Sequence, residues 1–172
     1  MAHVTIFPIS AAGMWGDDDA QLEVGDLPAP HSVFLGRIVL AFEDNDQTAA
    51  VTATMTMPAN YTATDPRMDI HFFTESDATN DLVMEAFVEA YTPNTDNEDL
   101  ETTSGWDTLN SGTISVNPYA AGDPLVLSIT LSNDDGAVAG DLVRFGIRRE
   151  TDAPDDISGD VYVTAIEFWD NT

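Results

Sequence analysis

Apolar and polar residues alternate with period two along much of this chain. In Ala50 to Met57, Val51, Ala53, Met55 and Met57 alternate with Thr52, Thr54 and Thr56. That pattern predicts a strand with one buried face and a β-branched polar face outward. Leu125, Leu127, Ile129 and Leu131 stand against Ser128 and Thr130, and Val143, Phe145 and Ile147 against Arg144, Gly146 and Arg148. Met68 to Thr74, Leu82 to Tyr91 and Val161 to Trp169 read the same way, the second with Glu85 and Glu89 on one face. Val33 to Phe42 is more uniformly apolar and suits a strand covered on both sides. A slip of one residue would exchange the two faces, so the alternation also sets register.

Turn signals punctuate these runs: Asp44-Asn45-Asp46, Pro58-Ala59-Asn60, Ser76-Asp77, Pro93 to Asp96, Asn110-Ser111-Gly112, Ala121-Gly122-Asp123, Asn133 to Gly136 and Ser158-Gly159-Asp160. No segment carries a helical stripe, and no internal repeat is visible. Eight or nine strands so separated predict an all-β fold, a two-sheet antiparallel β-sandwich of jelly-roll type. The sandwich is expected over residues 32–172. Residues 1–31 read as an extended N-terminal arm, with a short apolar stretch (Val4, Ile6, Phe7, Ile9), the triplet Asp17 to Asp19 and then Pro28-Ala29-Pro30.

A chain of 172 residues suits one domain. Its net charge of -26 arises from 31 acidic residues against five basic ones, all arginine: Arg37, Arg67, Arg144, Arg148 and Arg149. Nucleic-acid binding needs cations to replace phosphate counterions, so nucleic acid and anionic membranes are excluded as partners. The bias to Asp, Thr and Ala without lysine resembles proteins adapted to concentrated salt; a GC-rich genome would produce it too. The chain has no cysteine, hence no disulfide framework and no thiolate chemistry. The start, MAHVTIFPISAAGMWGDDD, lacks the features of a secretion signal, and no apolar run is long enough to span a bilayer.

The segment Ala139-Gly140-Asp141-Leu142-Val143-Arg144-Phe145-Gly146-Ile147-Arg148-Arg149-Glu150 is followed by Asp152-Ala153-Pro154-Asp155-Asp156 and Gly159-Asp160-Val161-Tyr162-Val163. Earlier come Pro58 to Tyr61, Asp81-Leu82-Val83 and Ala121 to Leu125. Over roughly residues 55–169 this order of strand, acidic turn and closing strand resembles a family of β-sandwich virion proteins of tailed viruses. The resemblance implies a virion location, a capsid decoration or other surface role, and no catalytic residues. The expected partners are the major capsid protein or other virion proteins, together with further copies of the chain, a trimer being favoured.

Several clusters invite chemistry. Arg148 and Arg149 precede Asp152, Asp155 and Asp156 and predict an ion-paired loop, with an Arg fork holding the connection between the last two strands. Neighbours on a strand, the two arginines point to opposite faces. Asp152, Asp155, Asp156 and Asp160 form the best candidate for Ca2+, which takes six to eight oxygens, although no EF-hand spacing is present. Other acidic groups, at Asp44 and Asp46 and at Asp96, Glu98 and Asp99, read as solvated loops. His3, His31 and His71 are scattered, and His71 reads as a cross-strand packing residue. No lysine, phosphate loop or nucleophile elbow exists, which excludes Schiff-base and P-loop chemistry. Trp15, Trp106 and Trp169 are candidates for a sugar platform, with Trp106 first and Trp169 read as a plug at the core's end. The expected function is therefore assembly on a virion without a cofactor, the apolar arm adding to a neighbour. The alternative is a glycan- or receptor-binding module, with a carbohydrate-active enzyme a distant third.

Overall fold

The computed structural model describes residues 3–7, 31–34, 37–44, 50–76, 80–97, 105–150 and 157–170. Ten strands run through them: β1 (His3–Phe7), β2 (His31–Phe34), β3 (Arg37–Phe42), β4 (Ala50–Thr56), β5 (Arg67–Thr74), β6 (Asp81–Tyr91), β7 (Asn110–Ser115), β8 (Leu125–Thr130), β9 (Leu142–Glu150) and β10 (Val161–Asp170). Among the described residues there is no helix, and none long and apolar enough to cross a membrane.

The alternation predicted from the sequence is what builds the layers. In β8, Leu125, Leu127 and Ile129 are buried while Val126, Ser128 and Thr130 are exposed. Strands β3 to β10 form two antiparallel sheets, ordered β3-β10-β5-β8 and β4-β9-β6-β7. From β3 to β10 the chain passes from one sheet to the other at every connection except β6 to β7, which is the winding of a jelly roll. β2 extends the first sheet beyond β3, and β1 pairs with β10, so that sheet has six strands. One core, including Leu40, Met68, Ile70, Leu82, Met84, Ile129, Val143, Phe145 and Phe168, fills the space between the layers.

Four departures from the sequence reading have physical causes. Val33 to Phe42 holds two strands, β2 and β3, paired with each other from His31↔Leu40 to Phe34↔Arg37, so its uniform apolarity does not belong to a single strand. Asn110-Ser111-Gly112, read as a turn, opens β7, which pairs with β6. Glycine is required there: a Cβ on Gly112 would lie 2.8 Å from Ile129 Cγ1 and 3.2 Å from the Ser128 carbonyl oxygen, where the two sheets draw together.

The third departure is at the N-terminus. His3–Phe7, placed by the sequence reading in an extended arm, pairs with β10 of its own chain from His3↔Asp170 to Phe7↔Ile166. Val4, Ile6 and Phe7 are therefore strand positions; Ile9 lies outside the described residues. The fourth is a bulge in β10 between Val163 and Ala165. Val161 and Val163 face the core before it, Ile166 and Phe168 after it, because one extra residue reverses the parity of the strand. Trp169 consequently faces outward and Phe168 closes the core, its ring 5.2 Å from Phe145 and 5.8 Å from Tyr61.

Candidate functional site

Two outer faces carry the polar chemistry. On the four-stranded sheet, the register sets Glu85 opposite Arg148, Phe87 opposite Gly146 and Glu89 opposite Arg144. Arg144 binds Glu89 Oε2 through Nε at 2.7 Å and Nη2 at 2.6 Å, and Arg148 Nε binds Glu85 Oε2 at 2.6 Å. Glu89 is 1% exposed. Its other oxygen accepts the Tyr91 hydroxyl and the Gly105 amide, so a carboxylate taken out of water keeps a full set of donors.

Gly146 leaves the middle of this face bare, and Trp106 lies across it. A Cβ at Gly146 would sit 3.4 Å from both the Trp106 and Phe87 rings. The Arg144 guanidinium lies 4.2 Å from the Trp106 ring, in cation–π range, and the Phe87 and Trp106 centroids are 6.0 Å apart. Trp106 is thus buried, at 7% exposure, which corrects the expectation of an exposed sugar platform there. The legible signal was the glycine in Val143 to Arg149, since glycine inside a strand marks a close approach.

The arginine pair divides as strand alternation requires. Arg148 turns to Glu85, while Arg149 enters the interior at 1% exposure. Its Nη1 donates to the Gly159 carbonyl at 2.9 Å and its Nη2 to the Ile157 carbonyl at 2.8 Å, with Asp44 Oδ1 at 3.7 Å. The β9 to β10 connection is therefore held at its far end by carbonyl acceptors. Asp152, Asp155 and Asp156, expected to supply both the ion pair and a Ca2+ site, lie outside the described residues. Asp160 Oδ1 accepts the Asp44 amide at 3.1 Å. Burial, then the charges of Glu75 and Asp160, push the Tyr162 phenol above its ordinary range. Among the described residues no three His, Asp or Glu side chains are grouped to hold a metal.

The outer face of the six-stranded sheet is more open. Arg67 stands between Thr130 and Trp169, Asp69 between Ser128 and Glu167, and His71 between Val126 and Ala165. Arg67 forks onto Asp69 at 3.1 and 3.2 Å, and its guanidinium stacks 5.0 Å from the Trp169 ring. Ser128 donates to Asp69 at 2.5 Å. His71 Nε2 lies 3.3 Å from Glu167 Oε2 without hydrogen-bond geometry, and Trp169 Nε1 likewise makes no hydrogen bond. Trp169 is half-buried, and Val126 is 43% exposed. The side chains of His3 and His31 lie outside the described residues.

Five carboxylates among the described residues are buried: Asp69, Glu85, Glu89, Asp141 and Asp170. The first three are held as above. Asp141 accepts the Thr92 hydroxyl at 2.9 Å and the Val138 amide at 2.8 Å. Asp170 accepts the Thr62 amide at 2.7 Å and the Thr64 amide at 3.0 Å. Each ties a strand or loop to its neighbour. A small, partly open apolar recess lined by Val51, Met68, Phe145 and Ile166 among others has a volume of ≈ 10 Å³, room for one water at most.

Fold and faces together define a jelly-roll β-sandwich whose buried acids serve as structural acceptors. The chain matches no protein family and no curated protein. Among solved structures it is similar to a xylan-binding module CBM15, with 14% identity over 98% of this chain and 97% of that one, at a TM-score of 0.48. A likeness that distant says nothing of ligand or residue roles.

Proposed function

We propose that this chain is a non-catalytic binding and assembly module, a jelly roll that works through its outer surfaces as a component of a virion exterior. The observation that carries the non-catalytic reading is the state of the buried carboxylates. General acid–base chemistry needs a carboxyl group aimed at a substrate across a cleft, whereas Asp69, Glu85, Glu89, Asp141 and Asp170 each accept from the protein's own arginines, hydroxyls or amides. The virion placement is supported by the motif order over residues 55–169. Its test is sedimentation of virus particles from cells expressing a tagged chain. The tag is expected in the particle band and on its exterior by labelled imaging; a tag found only in the soluble fraction would overturn it.

A second reading, a glycan-binding module, is favoured by the open face of the six-stranded sheet. There a half-buried Trp169 lies beside Arg67, Asp69, His71 and Glu167, an aromatic plane among hydrogen-bonding groups of the kind that saccharides use. A glycan array read with wild type and with Trp169→Ala decides it. Binding that disappears with the indole supports this reading, and absence of binding to any neutral glycan removes it.

A further inference from the structure

β10 offers one edge to two different strands. Val161 to Val163 pair with β3, and beyond the bulge Ile166 to Asp170 pair with β1; β5 takes the opposite edge along the whole strand. The jelly roll is closed by β3 to β10 without β1. β1 packs chiefly on β10 alone, and its contribution is to cover five residues of a sheet edge that would otherwise offer unpaired amides and carbonyls.

Two facts of the sequence bear on who supplies that strand. Residues 8–30 separate β1 from β2, and a chain of that length spans up to about 75 Å when extended, against roughly 40 Å across a domain of this size. The first acidic residue is Asp17, so the segment bearing β1 has no carboxylate in a chain that holds 31. That segment therefore meets less like-charge repulsion than the acidic body does on approaching a second, strongly anionic copy.

We propose that copies of this chain exchange β1: the strand of one chain fills the Ile166–Asp170 edge of the next in the same antiparallel register, and the exchange closes a ring of two or three chains. The inference deepens the assembly reading above and rests on it. Because the pairing is identical within and between copies, exchange forfeits no backbone hydrogen bond. The balance is set by the concentration of neighbours against the effective concentration of the chain's own strand. Crowding on a particle surface, and salt that screens the anionic bodies, both favour exchange.

The chain has no cysteine, so an engineered pair reports cleanly. Ile6 faces Glu167 across the pairing, and both spacings found in antiparallel ladders fall within disulfide reach. Ile6→Cys and Glu167→Cys chains, each otherwise wild type and distinguishable by a tag, are co-refolded at millimolar concentration in molar salt and then oxidised. A covalent species containing both tags is expected, and the double variant is expected to give covalent dimers or closed trimers. If the double variant cross-links wholly within single chains and the mixed single variants give no two-tag species, exchange is refuted. Particle sedimentation of wild type is scored separately. Particle binding without inter-chain cross-links would remove exchange and leave the assembly reading standing, and cross-links without particle binding would do the reverse.

Discussion

At the scale of single residues, the side chains that matter most are those whose partners lie far away in sequence. Trp106 is held by Phe87, Arg144 and the space over Gly146. Trp106→Ala opens that layer and is expected to cost about 3 kcal/mol in urea unfolding; a loss below one-third of that would show the indole to be peripheral. Tyr61 supplies a pH signature. Its burial, then the Asp134 carboxylate that accepts its hydroxyl at 3.3 Å, raise its phenol well above the ordinary range, and Tyr162 is raised chiefly by burial. A folded-state value above the unfolded one means that the unfolded chain releases these protons first. The contribution is therefore whole below pH of about 10 and is lost as the pH climbs beyond it. Stability is expected to fall from pH 9 to 11, and less steeply in Tyr61→Phe; parallel curves for the two proteins would contradict this.

At the scale of elements, period-two patterning located β4, β5, β6, β8, β9 and β10, because each sends alternate side chains into the core. It missed β7, whose sequence NSGTIS has almost no apolar signal, and it merged β2 with β3. The two errors share a cause: both segments are placed by what they pack against. Gly112 is where this can be measured. Gly112→Ala would force a Cβ against Ile129 and the Ser128 carbonyl and is expected to destabilise by about 1–3 kcal/mol, the usual cost of overpacking. A neutral result would mean that β7 and β8 can part without penalty. The bulge in β10 has the same character. One inserted residue turned Trp169 from an expected core plug into a half-buried aromatic of the outer face, and nothing in the run Val161 to Trp169 marks where the parity changes.

At the scale of the molecule, charge is the dominant property. With 31 acidic side chains against five arginines, the folded surface repels itself, and molar salt, which shortens the screening length to about 3 Å, relieves that repulsion. The urea midpoint is expected to drop on dilution from molar to about 50 mM salt; a constant midpoint would count against adaptation to high salt. The sequence alone determined the all-β class, the two-layer sandwich and the anionic exterior, because side-chain alternation and composition are local properties that survive any arrangement of the strands. Tertiary structure alone decided that Trp106 is buried, that Arg148 meets Glu85 while Arg149 meets the Ile157 and Gly159 carbonyls, and that His3–Phe7 covers an edge of β10. Each of those depends on which distant strand lies alongside, and pairing between remote segments leaves no periodic trace in the chain.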